Sequence, residues 1–99
     1  MVFDVVVDKK VKKIVEKIKD QRFQELFKKC RKRLELLGPR GGQLLNNQYH
    51  LFEWKNYHPP LRVYFRIRTE NEIIILSCEY KTSEKKQQET ITRLLESFD

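Results

Sequence analysis

The sequence predicts one α+β domain over residues 1–99, in the order β-α-α-β-β-β-α, with a twisted, mainly antiparallel sheet packed on a helical hairpin. Three observations predict this fold. Apolar residues recur at helical spacing through 11–37 and again through 91–98, whereas they alternate with polar residues between 49 and 81. A chain of 99 residues has room for a single core. Its 39% hydrophobic content, with only 3 Gly and 3 Pro, is typical of a folded domain.

The first half of the chain predicts a strand and two helices. The β-branched run at 2–7 indicates a strand, and Asp8 is placed to cap the helix that follows. Asp20 indicates a second cap, and the second helix is expected to stop at Gly38-Pro39. Lysines fill the outer face of the first helix, and its apolar stripe consists of Val11, Ile14, Val15 and Ile18.

The second half predicts a three-stranded meander and a final helix. Residues 38–48 are rich in Gly, Asn and Gln and are interpreted as the main loop. Thr82 or Ser83 is the expected cap of the last helix. The strands are predicted at 49–56, 61–68 and 73–81.

The chain is strongly basic. It carries 21 Lys and Arg against 14 Asp and Glu, a net charge of +7, and twelve of these cations lie in residues 8–33. Such an imbalance favours a polyanionic partner: nucleic acid, a ribosome, an acidic protein or an anionic membrane surface. The alternative is a solvated basic surface that only aids solubility.

A cytoplasmic location is expected. No apolar stretch approaches the roughly 20 residues of a membrane helix, and the first residues lack the basic and apolar regions of a secretory signal. Cys30 and Cys78 form neither a disulfide framework nor a metal-binding spacing, and both lie on apolar faces that predict core packing. His50 is expected to be structural and His58 to be exposed in a turn. No metal site, cofactor or nucleophile triad is therefore expected.

Polar residues concentrate on one predicted sheet face. Alternation along 61–68 places Arg62, Tyr64 and Arg66 opposite a fully apolar face. Guanidinium groups match phosphate oxygens, and an aromatic ring between them can stack on a base. The alternative is a solvated face with cross-strand ion pairs, in which Glu53 or Glu79 meets Arg62 or Arg66. The same parity adds Glu53, Lys55, Ser77, Glu79 and Lys81 to this face.

The order of elements and three local strings resemble the RelE/ParE toxin superfamily of bacterial and archaeal toxin–antitoxin modules. The string Leu51–Lys55 resembles the family's aromatic-Glu-Leu-Arg strand, and Leu61–Phe65 resembles its Tyr-Arg-Val-aromatic-Tyr strand. Residues 73–81, followed by a basic helix start, resemble its last strand and terminal helix.

The resemblance implies a sheet packed on a helical hairpin with a concave opposite face. It also implies a ribosome-dependent endoribonuclease, in which the 2′-hydroxyl of mRNA attacks the adjacent phosphate without a metal. The implied partners are a cognate antitoxin, the ribosome and mRNA, with no membrane; the oligomeric state stays open. The alternatives are a gyrase-inhibiting toxin of the ParE branch and a non-catalytic RNA-binding domain.

The resemblance also implies roles for residues. Arg62 matches the arginine that stabilises the scissile phosphate, and Lys81 is expected to act as the acid. Glu53 or Lys55 is expected to supply the base. One ribonuclease branch carries a second lysine beside the position of Lys55 and a tyrosine where this chain has Gln87. The expected RNA-binding residues are Arg40, Tyr64, Arg66, Lys85 and Lys86.

Overall fold

The computed structural model describes residues 2–98, and its helices and strands follow the expected α+β order with one additional strand. The additional strand, β2, lies within the segment that the composition predicts to be a loop. The elements are β1 (Asp4–Val7), α1 (Lys9–Lys17), α2 (Gln21–Leu37), a 3₁₀ turn (Gly38–Gly41), β2 (Gln43–Asn46), β3 (Leu51–Tyr57), β4 (Pro60–Thr69), β5 (Glu72–Tyr80) and α3 (Glu84–Ser97).

The predicted capping residues and the predicted end of α2 are found at the expected positions. The Asp8 carboxylate accepts a hydrogen bond from the backbone of Lys10 at 2.9 Å, and Asp20 caps α2 in the same way. At α3 the cap is Ser83, whose hydroxyl accepts from the Lys86 backbone. Gly38 ends α2 with a φ of 61°, and a Cβ there would lie 2.4 Å from the Phe3 ring, so only glycine fits.

The sheet has the strand order β1-β5-β4-β3-β2, with β1 parallel to β5 and the other pairs antiparallel. The meander of β3, β4 and β5 is thus confirmed. Its register places Arg62 directly between Lys55 and Glu79 on the neighbouring strands. The next residue on this face, Tyr64, lies between Glu53 and Ser77.

The helical hairpin covers one face of the sheet and forms the main core. Phe23 and Leu34 of α2 pack among Val63, Phe65 and other buried residues of the central strands. Cys30 and Cys78 are buried in this core, as their apolar positions predict. Burial raises the pKa of both thiols, that of Cys78 to about 12.

Helix α3 covers part of the opposite face, which the sequence predicts to be an open polar surface. Leu51 and Tyr64 are fully buried there, at 0% exposure, although neither belongs to the hairpin-side core. On the helix itself, Gln87 and Thr90 are buried. At the end of α3, the centre of the Phe98 ring lies 4.0 Å from the Arg66 guanidinium and 5.4 Å from the centre of the Tyr49 ring, so the end of this helix lies on the face that the alternation alone leaves exposed.

Strand β2 begins directly after Gly42, where the chain passes very close to β3. A Cβ at Gly42 would lie 2.7 Å from the Glu53 carbonyl oxygen and 2.7 Å from the Phe65 ring. His50, which the sequence predicts to be buried or structural, is exposed with a φ of 51° in the turn before β3, so it is not a buried histidine. Within residues 2–98, no helix combines the length and apolar composition that crossing a membrane requires.

Candidate active site

Glu53, Lys55 and Arg62 form a cluster of charged side chains, here called the Glu53 cluster. The Nη1 atom of Arg62 donates to Oε2 of Glu53 at 2.9 Å, and Nζ of Lys55 lies 3.7 Å from Oε1 of the same carboxylate. The Glu53 side chain is 2% exposed, whereas those of Lys55 and Arg62 are 29% and 25% exposed. The carboxylate thus lies beneath two cations that reach the solvent.

The pleat and the register produce this cluster. Residues 53, 55 and 62 face the side opposite the hairpin, as the parity of the two strands predicts. Directly opposed like charges destabilise a strand pair, and Lys55 faces Arg62 directly. Glu53 is one position removed along the face, so its two oxygens reach both cations. The cross-strand ion pair expected as an alternative for this face is present.

A second diagonal contact, on the other side of β4, joins β4 to β5. The Tyr64 hydroxyl donates to Oε1 of Glu79 at 2.9 Å, and Oε2 of Glu79 is buried with no hydrogen-bond partner. Burial, followed by the bond to Glu79, raises the pKa of Tyr64. The predicted stacking role of Tyr64 is wrong, because a fully buried ring cannot receive a base.

Lys81 does not join the Glu53 cluster. It has a φ of 57°, a left-handed conformation that breaks the alternation of the strand before it. Its Nζ lies 3.8 Å from Oδ2 of Asp20 and 5.1 Å from the centre of the Tyr80 ring. The parity that placed Lys81 beside Arg62 is therefore wrong, and the side chain meets the cap of α2 instead.

The predicted RNA-binding residues fall into two groups. Arg66 is held against the helix: its Nε donates to the Tyr49 carbonyl at 2.9 Å, and its guanidinium lies 4.0 Å from the centre of the Phe98 ring. Arg40, Lys85 and Lys86 are exposed, the first in the 3₁₀ turn and the others in the first turn of α3. The structure thus leaves three of the predicted cations accessible on two separate elements.

Sequence reasoning missed a cleft beside the Glu53 cluster. It has a volume of about 380 Å³ and lies between α2 and the part of β3 that extends beyond β2. Tyr57, which directly follows the strand predicted at 49–56, lines it with 66% of its surface exposed. The sequence signal for its position was its spacing: Tyr57 is two residues after Lys55, so both side chains lie on the same face of β3. The lining residues are Lys29, Arg33, Gly41, Gly42, Gln43, Glu53, Trp54, Lys55, Asn56 and Tyr57.

The Glu53 cluster brings three chemical groups together: the carboxylate lies 2.9 Å from the guanidinium and 3.7 Å from the ammonium group. A carboxylate accepts a proton, an ammonium group donates one, and a guanidinium group binds phosphate oxygens through a planar fork. In residues 2–98, no group of three or more His, Cys, Asp and Glu side chains is arranged to hold a metal ion. A carboxylate, an ammonium group and a guanidinium group placed together are suited to acid–base chemistry beside an anion.

Comparison with known proteins supports the fold. No protein-family model and no curated protein matches the sequence. Among solved structures, an E. coli toxin RelE mutant with two arginine-to-alanine substitutions, in the free state, matches at a TM-score of 0.72 and 15% identity, over 94% of this chain and 98% of that one. The isolated E. coli RelE toxin matches at 0.65 and 16% identity, over 93% and 98%. The chain therefore has a RelE-like fold.

Proposed function

We propose that this protein is the toxin of a toxin–antitoxin module and that it cleaves messenger RNA on the ribosome. The observation that carries the proposal is the Glu53 cluster, in which a buried carboxylate is paired with a guanidinium and an ammonium group. The RelE-like fold supports it, because the solved structures that match are toxins. The net charge of +7 supports a ribosome and RNA as the targets.

The cluster supplies the three requirements of RNA cleavage by an internal nucleophile. Lys55 turns from Oε1 of Glu53 toward the leaving 5′-oxygen, and the Oε1 atom that it uncovers accepts the proton of the 2′-hydroxyl as the hydroxyl oxygen bonds to the adjacent phosphorus. Arg62 stabilises the charge that develops on the phosphate oxygens. Lys55 donates a proton to the 5′-oxygen as its bond to phosphorus breaks, which leaves a cyclic phosphate and a free 5′-hydroxyl. Lys55 takes the acid role here because Lys81 lies against Asp20.

The partner that silences such a protein is an antitoxin in the same cytoplasm. A basic surface is neutralised by an acidic partner, and segments that fold on binding can wrap a large part of it. We expect such a partner to be encoded next to this protein. Co-expression of the two proteins and purification through one of them tests this pairing, and a complex that survives high salt supports it.

Mapping of RNA ends after induction tests the proposed activity. We expect new 5′ ends within translated regions of mRNA in cells that express the parent protein, and none in cells that express Arg62→Ala. Loss of these ends when ribosomes are omitted from a purified translation reaction identifies the ribosome as the required partner. Unchanged transcripts accompanied by DNA damage contradict the proposal and favour gyrase inhibition.

A further inference from the structure

We infer that the cleft between α2 and the free end of β3 binds a nucleotide of single-stranded RNA, with its base stacked on Tyr57 and its phosphate held by Lys29 and Arg33. Glu53 and Lys55 of the proposed cleavage line one side of this cleft, whereas the inferred contacts with the base and the phosphate are made by Tyr57, Lys29 and Arg33, which have no role in that cleavage. The inference rests on the proposed function only for the class of ligand, and binding can be measured without cleavage.

The cleft exists because β2 is shorter than the strand it pairs with. The pairing of β2 with β3 runs from Asn46 with Leu51 to Gln43 with Glu53, and within residues 2–98 no strand pairs with 54–57 on that side. The chain enters β2 from α2 through the 3₁₀ turn and Gly42, and this path leaves a gap beside the end of β3. Its volume of about 380 Å³ lies within the range of about 300–1,000 Å³ for small-molecule sites.

Tyr57 offers the cleft an aromatic surface beside the Glu53 cluster. Its side chain is 66% exposed, and Nζ of Lys55 lies 5.5 Å from the centre of its ring. The same Nζ lies 3.7 Å from Oε1 of Glu53, so Lys55 contacts both the Tyr57 ring and the carboxylate of the cluster. An exposed ring with a cation beside it is a stacking platform for a base whose phosphate the cation attracts. A base on Tyr57 thus leaves its neighbouring phosphate within the reach of the cluster.

The α2 wall of the cleft carries positive charge that carboxylates do not neutralise. Among the described residues, neither Lys29 nor Arg33 forms an ion pair with a carboxylate, whereas Lys55 and Arg62 both do. Arg33 is fixed at the wall, because its Nε donates to the Gly41 carbonyl at 3.2 Å. Glu53, the one acidic residue of the lining, is paired within its own cluster. This wall is suited to a phosphate.

An acidic peptide is the rival ligand, since a strand could pair with the open edge of β3. RNA is favoured by two features that a peptide does not use. The exposed ring lies next to a cation, and the cleft opens directly onto residues suited to phosphate chemistry. A peptide bound through its backbone would not depend on the Tyr57 ring.

The fluorescence of Trp54 measures binding directly, because it is the single tryptophan of the chain and lines the cleft. The probe is a short single-stranded oligoribonucleotide whose 2′-hydroxyls are methylated, so that it binds but cannot be cleaved. We expect saturable quenching by the full-length protein. Tyr57→Ala weakens the apparent Kd about 10-fold, whereas Tyr57→Phe, which keeps the ring, leaves it nearly unchanged.

The salt dependence tests the phosphate contact. Lys29→Ala lowers the slope of log K against log salt by about 0.7, the value for one phosphate contact on a single strand. Lys28→Ala is the matched control, because Lys28 is exposed on the same helix and does not line the cleft. Its slope equals that of the parent.

Each outcome decides the inference. An equal Kd for folded Tyr57→Ala and the parent overturns it, as does the absence of saturable quenching at low salt. Binding of poly-glutamate that displaces the RNA and depends on Lys29 but not on Tyr57 overturns it in favour of an acidic peptide. Tyr57-dependent binding by a protein that cleaves no mRNA leaves the inference standing and removes the proposed function.

Discussion

Arg62 lies directly opposite Lys55 across β3 and β4, yet it bonds diagonally to Glu53 at 2.9 Å. The diagonal bond allows two cations to occupy facing positions on one sheet face. Glu53 is almost completely buried and shares its two oxygens between them. The pairing holds the guanidinium in a fixed orientation while its side chain stays 25% exposed.

Glu53→Gln is expected to lower the free energy of unfolding by about 1–3 kcal/mol, because it leaves two facing cations beside a neutral amide. The measurement is urea denaturation at neutral pH. Glu72→Gln is the control: its bond with Arg68 joins residues with larger exposed fractions, and such a surface pair contributes about 1 kcal/mol or less. Equal losses in the two variants would contradict the burial argument.

Arg62→Ala is expected to lower the rate of cleavage of ribosome-bound mRNA by about 10²–10³, the usual effect of removing one preorganised charge donor. Arg62→Lys keeps the charge but not the planar fork, so an intermediate rate is expected. Arg68→Ala is the control on the same strand, since Arg68 pairs with Glu72 away from the cluster. A folded Arg62→Ala protein with the parental rate would show that the site lies elsewhere.

The alternation of β3 and β4 predicts the Glu53 cluster, because parity is a local property of an extended chain. Residues 53, 55 and 62 needed only the register between two adjacent strands to meet. The same reasoning fails at Lys81 for a local reason. A single residue with a φ of 57° turns the chain out of the extended conformation, and no periodicity records it.

The prediction of an open polar sheet face is wrong because it depends on the packing of a helix, which alternation along a strand does not describe. The sequence identifies the apolar stripe of α3 but does not specify which sheet face the helix covers. That choice places Arg66 against Phe98, on the face where Tyr64 and Leu51 are fully buried. Strand β2 was missed because glycines precede it and asparagines end it, and both residue types are rare in strands. Its strand conformation depends on its pairing with β3.

Lys81→Ala and Lys55→Ala form a pair that separates the sequence assignment of the acid from the structural one. Because Nζ of Lys81 lies 3.8 Å from Asp20, Lys81→Ala is expected to leave the cleavage rate close to that of the parent. Lys55→Ala is expected to lower the rate at least about 10²-fold, as for a general acid. Initial rates on purified ribosomes measure both. The reverse order would restore Lys81 as the acid.

Tyr64→Phe is expected to lower the free energy of unfolding by about 1–3 kcal/mol, because it leaves the buried Glu79 carboxyl without the hydroxyl that donates to Oε1. Denaturation by urea measures the loss. Tyr57→Phe is the matched control, since the Tyr57 side chain is 66% exposed and its variant should unfold at the parental midpoint. A Tyr64→Phe protein as stable as the parent would show that the Glu79 carboxyl reaches another donor.

The bond between Tyr80 and Asp20 predicts a loss of stability in acid. The Tyr80 hydroxyl donates to Oδ2 of Asp20 at 2.8 Å, and this bond, followed by the backbone N–H of Arg22, lowers the pKa of Asp20 below its ordinary value of 3.8. A carboxyl group whose pKa is lower in the folded state stabilises the fold above its unfolded pKa. That contribution is lost as the pH falls below 3.8 through the folded value.

Urea midpoints of the parent, Asp20→Asn and Tyr80→Phe across a pH series test this dependence. At neutral pH the parent is expected to be more stable than both variants. Below pH 3.8 the difference between the parent and Asp20→Asn is expected to shrink, because protonation removes the charge that the substitution already lacks. Tyr80→Phe should lose less stability than the parent over the same interval, since it lacks the main cause of the lowered pKa. Parallel pH profiles for all three proteins would show that Asp20 titrates alike in the folded and unfolded chains.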